Sequence, residues 1–367
     1  RSSDLPATSN HIVHLVPSPD QSDILTYHKA DVPEPSGPTM DLTATNIVIA
    51  TGAKPRPLPG NPFAGALIDS TQALEVNEFP SSAVIIGAGA IALEFASMWN
   101  AAGSKVTLLI RKDRVLSAWD RRAGTTLTRE LKHHGVNIIT RASVTHVDTG
   151  ANLGATVHYT REGQDGEQSV WGEIALVAIG RDPITDPAWG VTIDDHGHVA
   201  TDAYGRTDKP GVWAVGDVTA GHALAHRAFE QGIVIAETIA GLNPKPVDEA
   251  AVPQIVFSFP EAASVGLTVE QAQAREDLVE IKETNYPMLA NARMLMSGTA
   301  GSLTIVSGCD AANPDTPRVL GVHMVSPMAS DIIAEAEQLV GNHVPLADAA
   351  RLVHPHPTFS ETLGEAL

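Results

Sequence analysis

The sequence predicts an α/β fold with a doubly wound, Rossmann-type parallel sheet, followed by a separate α+β domain. The strand candidate AVII is followed by the glycine turn GAGA, the helix candidate IALEFASMWNAA and the strand candidate KVTLLI. A helix around 121–134 and the strand VNIIT continue this alternation, which a doubly wound sheet requires. After LNPKPVDEAAVP the composition changes to runs typical of antiparallel strands, which predicts the second domain.

The elements on either side of this alternation follow from local patterns. Residues 1–45 are polar and rich in proline, with short strands predicted at HIVHLV and DILTYH. The β-branched run TNIVIATG ends at Gly52, and the prolines of AKPRPLPG after it predict a loop. Further strands are predicted at TVHYT, SVWGE and ALVAIG, and GVWAVGDV predicts a strand leading into a helix near 223–241.

The C-terminal domain is predicted from four apolar runs that are typical of antiparallel strands: IVFSF, SVGLT, LTIVS and VLGVHMV. Segments 329–340 and 346–352 have the residue spacing of helices.

Length and composition limit the function classes. With 367 residues and 43% apolar side chains, the chain can form two or three domains. The net charge of −19 argues against nucleic acid and anionic membranes as partners, because both would be repelled. The single cysteine, Cys309, excludes an internal disulfide framework and a CxxC metal site, and it fits a reducing, cytoplasmic setting.

The glycine turn Gly87-Ala88-Gly89-Ala90-Ile91-Ala92 predicts dinucleotide binding. Gly87 allows the tight turn, Gly89 lets the backbone approach a pyrophosphate, and the small Ala92 permits close packing of helix and strand. The alternative is a plain tight turn, which the strand–turn–helix–strand setting makes the weaker interpretation.

The strand after this helix distinguishes NAD from NADP. An acidic residue at its end would hold the adenosine 2′-hydroxyl, but here Ile110 is followed by Arg111, Lys112 and Arg114. These cations favour the 2′-phosphate of NADP. A solvated basic turn is the alternative.

Eight motifs in order resemble the flavoprotein disulfide reductases, the pyridine nucleotide-disulfide oxidoreductase family. They are ATG at 50–52, GAGAIALE at 87–94, AIGRDP at 178–183, AVGDV at 214–218, LAHRAFEQG at 224–232, FPEAASVGLT at 259–268, LGVHMVSPMASDII at 320–333 and HPTFSE at 356–361. LAHRAFEQG and HPHPTFSE are most similar to dihydrolipoamide dehydrogenases, whereas GAGAIALE with LLIRKD is more similar to glutathione reductases. The subfamily therefore stays open at this point.

The resemblance implies a domain order. We expect a remnant of an FAD-binding domain at 1–60, an NAD(P)-binding domain at 61–182, the returning part of the FAD domain at 183–248 and a dimerisation domain at 249–367. The family's N-terminal GxGxxG and its CxxxxC redox pair do not occur in the sequence, and the chain does not begin with Met. We therefore expect that this is the C-terminal three-quarters of such an enzyme, inactive on lipoamide alone; a natural flavin-free remnant is the alternative.

The resemblance also implies cofactor contacts. Thr51, Gly52, Gly216 and Asp217 would lie against FAD, with the Asp217 carboxylate accepting from a ribityl hydroxyl. The backbone of Ala225 would point at the flavin from the start of a helix, where the positive helix end stabilises negative charge. Without the resemblance, Thr51 and Gly52 would be a turn and Asp217 a cap of the helix near 223.

Two further positions are assigned through the family motifs. Glu94 would pair with a lysine beside the flavin, and that lysine would lie upstream of this chain. Gly180, in AIGRDP, is expected near a cofactor.

His356 lies between two prolines, with Glu361 five positions later. By resemblance, His356 is the acid–base that deprotonates the substrate dithiol, and Glu361 holds its imidazole in one tautomer. The alternative is a structural histidine in a rigid turn. We expect His354 to pack or cap, and Cys309 to have no redox role, since a lone thiol cannot cycle as a disulfide.

These expectations combine into a homodimeric FAD- and NAD(P)-dependent dithiol–disulfide oxidoreductase, similar to dihydrolipoamide dehydrogenase, acting on a small disulfide such as lipoamide. A 2-oxoacid dehydrogenase complex is a candidate partner. One alternative is an NADPH-dependent reductase of low-molecular-weight disulfides, similar to glutathione or mycothione reductase. A non-catalytic nucleotide-binding dimerisation module is the other. No metal site is predicted.

Overall fold

The computed structural model describes residues 11–15, 40–150 and 154–367, with the backbone alone for 11–15 and 40–43. The strand predicted at HIVHLV is confirmed, as His11–Leu15. The strand predicted at DILTYH lies outside the described residues.

The described strands, in chain order, are β1 (His11–Leu15), β2 (Met40–Ala44), β3 (Ile47–Ile49), β4 (Ala53–Pro55), β5 (Leu67–Ile68), β6 (Ser82–Ile86), β7 (Lys105–Leu109), β8 (Asn137–Ile139), β9 (Ala142–Asp148), β10 (Ala155–Arg161), β11 (Gln168–Gly172), β12 (Ile174–Val177), β13 (Arg181–Pro183), β14 (Val212–Ala214), β15 (Gln254–Val256), β16 (Glu261–Gly266), β17 (Leu278–Tyr286), β18 (Ser302–Asp310) and β19 (Asn313–Ser326). The described α-helices are α1 (Ser70–Leu74), α2 (Ala90–Ala101), α3 (Arg121–His133), α4 (Ala225–Ile239), α5 (Val269–Gln273), α6 (Ala292–Ser297), α7 (Ala329–Gly341), α8 (Leu346–Ala349) and α9 (Glu361–Ala366). Short 3₁₀ turns lie at Pro187–Trp189, Gly216–Val218, Glu249–Ala251 and Met288–Ala290.

The chain divides into two compact units. The first contains Arg1–Lys54 and Asp182–Glu249. In it, β1 pairs antiparallel with β2, and β14 pairs parallel with β3. A small core of aliphatic side chains, including Ile49, Val212 and Val218, supports the β14 pair and the 3₁₀ turn that follows it.

The second unit contains Pro55–Arg181 and Ala250–Leu367, and its first half is built on a parallel sheet of order β5-β12-β6-β7-β8. The predicted alternation β6–α2–β7–α3–β8 is confirmed. Side chains alternate between the two faces: Ile85 and Leu108 pack with the helices, whereas Val84 and Leu109 pack against the antiparallel sheet β9–β10–β11. The strand order reverses beside β6, which is where sheets of this kind bind nucleotides.

The second half of this unit is an antiparallel sheet of order β15-β16-β19-β18-β17, packed against α7. The predicted strand IVFSF ends early, at Val256, because the N–H groups of Phe257 and Phe259 donate to side chains of α2 instead of a neighbouring strand. The predicted helix 346–352 is likewise shorter, Leu346–Ala349.

Six of the described strands were not predicted: β2, β4, β5, β9, β13 and β17. The loop predicted at AKPRPLPG is wrong at its start, because Ala53–Pro55 forms β4 by pairing with β13. β17 is an edge strand with mostly exposed, polar side chains after Leu278, and its register shifts between Val279 and Lys282. β9 also contains a register shift, which breaks its apolar alternation. Within the described part of the chain, none of the helices has both the length and the apolar character needed to cross a bilayer.

Candidate active site and cofactor positions

His356 and Glu361 lie together as the sequence predicted. The Nδ1 atom of His356 is 2.7 Å from Oε1 of Glu361. The imidazole is 75% exposed, whereas the carboxylate is largely buried. An Nδ1–H donated to Glu361 leaves Nε2 as the basic nitrogen of the neutral ring.

Glu361 is held by the backbone as well as by the histidine. It opens α9, and its Oε2 accepts the N–H of Thr358 at 2.8 Å. The Thr358 carbonyl in turn accepts from the amide of Asn291 at 3.0 Å. The Thr358 hydrogen bond, followed by the hydrogen bond with His356, lowers the pKa of Glu361, so the carboxylate stays ionised when the histidine needs a negative partner.

A second histidine–glutamate pair lies beside the first, and the sequence did not predict it. His354 Nε2 is 2.8 Å from Oε1 of Glu335, a residue of α7, and the ring is only 10% exposed. The His-Pro repeat marked His354, but nothing in the sequence placed Glu335 beside it.

The glycine turn has the shape that a pyrophosphate needs. Gly87 has φ +143°, and a Cβ there would lie 2.1 Å from the Ala178 carbonyl oxygen. A Cβ on Gly89, the N-cap of α2, would meet nothing within 4 Å, so this side of the turn is open. Ala92 is fully buried and would be 3.3 Å from the same Gly87 Cβ, which explains the small residue there.

The predicted 2′-phosphate cations are accessible. Arg111 and Lys112 are exposed, and in the described parts of the chain neither side chain forms an ion pair. Arg114 is engaged instead, with Asp113 and with the Ser117 carbonyl. The first two cations are therefore free to meet an anion.

Glu94 has a partner within this chain. Its Oε1 accepts the Phe257 N–H at 3.0 Å. The half-buried carboxylate of α2 is thus fixed to the segment that follows β15 in the C-terminal sheet.

In the first unit, the predicted flavin positions form two groups. The Thr51 hydroxyl donates to the Ile184 carbonyl at 2.6 Å, and Gly52, at φ +71°, accepts the Ile184 N–H. Gly216 donates its N–H to Oε1 of Gln231 at 3.0 Å, which ties the 3₁₀ turn to α4.

Asp217 lies in the turn that precedes α4. It is half-buried in its own 3₁₀ turn, and the N-cap of α4 is Leu224. Ala225 is the first helical residue, and the side chain of Leu224 makes no capping hydrogen bond.

Gly180 and Cys309 are the two remaining residues that the sequence analysis named. Gly180, at φ +125°, is exposed and accepts the backbone N–H of Arg56 at 3.1 Å. Cys309 is buried in β18.

Both candidate cofactor positions fit the groups that the motifs imply. At the start of α2 the backbone N–H groups have no capping side chain among the described residues, and Gly89 leaves room for phosphate oxygens. The N-cap of α4 is the apolar Leu224, with Gly216 and Asp217 in the preceding turn. A helix N-terminus without a cap is a suitable place for a negatively charged group.

The chain was compared with known protein families. Residues 15–232 match the family described as pyridine nucleotide-disulphide oxidoreductase. Residues 252–367 match the dimerisation domain of the same family.

Individual relatives give the same result. The chain is 38% identical to a dihydrolipoyl dehydrogenase of Cupriavidus necator over 331 residues, which are 89% of this chain and 68% of that protein. It is 36% identical to the dihydrolipoyl dehydrogenase of Bacillus subtilis over 331 residues, 89% of this chain and 68% of that one.

Among solved structures, LpdA from Mycobacterium tuberculosis matches 90% of this chain and 70% of its own, with a TM-score of 0.79 and 28% identity. The HOCl-induced flavoprotein disulfide reductase RclA from Escherichia coli matches 89% of this chain and 74% of its own, with a TM-score of 0.77 and 27% identity.

Proposed function

This chain belongs to the pyridine nucleotide-disulphide oxidoreductase family, and on that premise we propose that His356 and Glu361 form its acid–base pair. The protein is a dithiol–disulfide oxidoreductase of the dihydrolipoyl dehydrogenase type, with FAD and NAD(P) as cofactors, a homodimer as its assembly and a lipoamide-type substrate. FAD, when bound, supplies the redox chemistry, and the protein supplies orientation and proton transfer.

The single observation that carries this proposal is the 2.7 Å contact between Nδ1 of the exposed His356 and the Glu361 carboxylate. With Nδ1–H held by Glu361, the Nε2 lone pair can take a proton from a substrate thiol, and the resulting thiolate is the reactive nucleophile. The glutamate then stabilises the imidazolium that forms. In the reverse direction the imidazolium returns the proton to the departing sulfur.

The proposal is tested by separating the two half-reactions in the flavin-loaded enzyme. His356→Gln should slow the dithiol half-reaction by about 10²–10⁴-fold, the usual contribution of a general base. Electron transfer from NAD(P)H to an artificial acceptor should stay close to the unsubstituted rate. His196→Gln, at another exposed histidine, is the matched control and should change neither. Loss of both activities together in His356→Gln would assign the histidine to folding instead.

The pyridine nucleotide is proposed to be NADP, through the exposed Arg111 and Lys112. Arg111→Glu should weaken NADPH binding far more than NADH binding, because only NADPH carries the 2′-phosphate. Arg122→Glu makes the same charge change at an exposed position of α3, and it should not weaken the binding of one nucleotide more than that of the other. Equal weakening of both nucleotides by Arg111→Glu would contradict the assignment.

We propose the domain assignment that the motifs implied. Residues 61–182 bind NAD(P) through Gly87, Gly89 and Ala92, and 249–367 form the dimer. Residues 1–60 and 183–248 bind FAD. The exposed Phe257, Phe259 and Val353 support an interface in residues 249–367.

Within the FAD region, Thr51, Gly52, Gly216, Asp217 and Ala225 are the proposed flavin contacts. The position of Ala225 as the first residue of α4 supports the last of them, because a helix N-terminus favours negative charge. Gly180 is proposed to lie near a cofactor.

Glu94 is proposed to serve a flavin-side lysine in addition to the Phe257 N–H. Assembly into a 2-oxoacid dehydrogenase complex and a cytoplasmic location stay predictions of the sequence.

A further inference from the structure

We propose that the antiparallel sheet β9–β10–β11 carries a binding site for a divalent transition-metal ion, with His146, His158 and Asp148 as its ligands. These residues were not predicted from the sequence, because their spacing matches no metal-binding motif. The site is separate from the residues that the disulfide chemistry uses.

The three side chains converge from neighbouring strands. His146 on β9 and His158 on β10 are directly opposite each other, and their rings stack with centroids 4.1 Å apart and planes 9° apart. Asp148 Oδ2 lies 3.1 Å from Nε2 of His158 and 3.9 Å from Nε2 of His146. One potential ligand atom from each residue lies within 4.8 Å of the other two.

A β-bulge produces this arrangement. His158 pairs with His146 but the next residue, Tyr159, pairs with Val144, so Thr145 is the extra residue of β9. The extra residue changes which side chains face the core: Val144 and Val147 are both half-buried, whereas His146 between them is exposed. The bulge therefore turns His146 to the same exposed face as His158 and Asp148. Bulges often re-aim side chains in this way beside functional sites.

A second carboxylate lies on the opposite edge of the two rings. Glu167 is 3.6 Å from Nδ1 of His158 and 3.8 Å from Nδ1 of His146. The Thr145 hydroxyl donates to Glu167 at 2.6 Å and holds it there. Histidines that bind metal through one nitrogen commonly donate the other N–H to a carboxylate, which fixes the tautomer. Glu167 is placed for that role, and the Nε2 atoms beside Asp148 are left for the ion.

The donor set selects the class of ion. Two imidazole nitrogens and one carboxylate oxygen suit Zn²⁺, Ni²⁺ or Cu²⁺ rather than Mg²⁺ or Ca²⁺, which prefer oxygen ligands. Around tetrahedral Zn²⁺ with bonds near 2.0–2.1 Å, ligand atoms lie roughly 3.3 Å apart. Binding therefore requires a modest inward movement and rotation of one stacked ring. His146 and Asp148 are exposed enough to allow it.

Isothermal titration of untagged, chelator-treated, flavin-loaded protein with Zn²⁺ alone tests the proposal. One ion per chain should bind at this site. His146→Gln, His158→Gln and Asp148→Asn should each weaken binding by more than tenfold. Glu167→Gln should weaken it by about 10–100-fold, as expected for an orienting partner.

His133→Gln is the matched control, because His133 and His134 form another exposed, adjacent pair of rings without a carboxylate contact among the described residues. It should leave the titration unchanged. Absence of Zn²⁺ binding in the unsubstituted protein would overturn the proposal, as would ligand variants that bind normally. Equal loss in His133→Gln would also overturn it, since binding would then reflect surface histidines in general.

Trp171 gives an independent optical measurement. It pairs with Thr156, which pairs with Asp148, so it lies two strand spacings, roughly 10 Å, from the proposed ligand. Cu²⁺ should quench the fluorescence of this exposed indole, and both Trp171→Phe and His146→Gln should remove the saturable part of that quenching. Saturable quenching that survives in His146→Gln would place the ion elsewhere.

Discussion

Two histidines of one His-Pro-His-Pro segment each contact a glutamate carboxylate, but they differ in solvent exposure and in where the glutamate lies in the fold. His354 lies 2.8 Å from the carboxylate of Glu335, and His356 lies 2.7 Å from that of Glu361. The His354 ring is 10% exposed, and the His356 ring is 75% exposed. A histidine–carboxylate contact therefore does not by itself indicate a catalytic base; access to a substrate separates the two.

The glutamates have different origins in the fold. Glu361 follows His356 by five residues, so this pair forms within one loop and the first turn of α9. Glu335 lies on α7, 19 residues before His354, so the second pair connects the loop to a core helix. The buried pair connects the segment to α7, and the exposed pair carries the proposed acid–base role.

The largest expected effect separates the two glutamates by activity. Glu361→Gln should slow the dithiol half-reaction by about 10–100-fold, a part of what a general base contributes, because the amide cannot stabilise the imidazolium. Glu335→Gln should leave the same rate within about twofold, since His354 takes no proton from substrate. Stopped-flow reduction of the flavin by a dithiol measures both, and equal losses would remove the distinction between the pairs.

A smaller effect, on stability, is expected when a substitution crowds the buried pair of His354 and Glu335. A Cβ on Gly364 would lie 2.3 Å from Nδ1 of His354, so Gly364→Ala must displace the ring. We expect a loss of about 1–3 kcal/mol in the free energy of unfolding, the usual cost of overpacking.

Gly232→Ala is the matched control for that substitution. Gly232 lies in α4, where a Cβ would meet nothing within 4 Å, and alanine there should be neutral or stabilising by up to about 1 kcal/mol. Denaturant titration of both variants provides the measurement. A Gly364→Ala protein as stable as the parent would show that His354 is loosely held.

The smallest expected effect concerns a third histidine, which contacts no carboxylate among the described residues. His323 is fully buried; the Ser264 hydroxyl is 2.7 Å from its Nδ1, and the Leu267 carbonyl is 3.1 Å from its Nε2. Burial lowers the pKa of His323 and outweighs the opposing charge of Asp120, so the ring is neutral and Nε2 donates.

A lowered pKa in the folded state means that the unfolded chain binds the proton more readily. The stability that neutral His323 contributes is complete above the ordinary pKa of 6.5, and it is lost as the pH falls below that value toward the lower pKa of the folded state. Melting temperatures measured across this range should fall less steeply with acid in His323→Gln than in the parent. Parallel curves would assign the acid sensitivity to other groups.

The parts of the molecule that were predictable depend on neighbours in the sequence. The turn at Gly87 and Gly89 follows from local steric requirements. His356 and Glu361 are only five residues apart, so a single turn of the chain brings their side chains into contact. Glu335 could not be assigned, because only the packing of α7 brings it to His354.

Two of the strands that were not predicted, β9 and β17, have a related explanation. An extra residue at Thr145 in β9, and a register shift beside Glu280 in β17, interrupt the alternation of apolar and polar side chains. A pattern of period two cannot be recognised across such interruptions. The same bulge at Thr145 brings the proposed metal ligands together, so the irregularity that hid β9 from the sequence analysis is also the one that forms the proposed site.

Phe257 and Phe259 donate their N–H groups to Glu94 and Ser97, while both of their rings are exposed. One helix, α2, therefore both begins at the phosphate-binding turn and anchors a segment that displays two aromatic rings. These two hydrogen bonds connect the helix that follows the turn to the aromatic segment. If a neighbouring subunit bound the rings in only one position of α2, thermodynamic reciprocity would require subunit association and nucleotide binding to change each other's affinity.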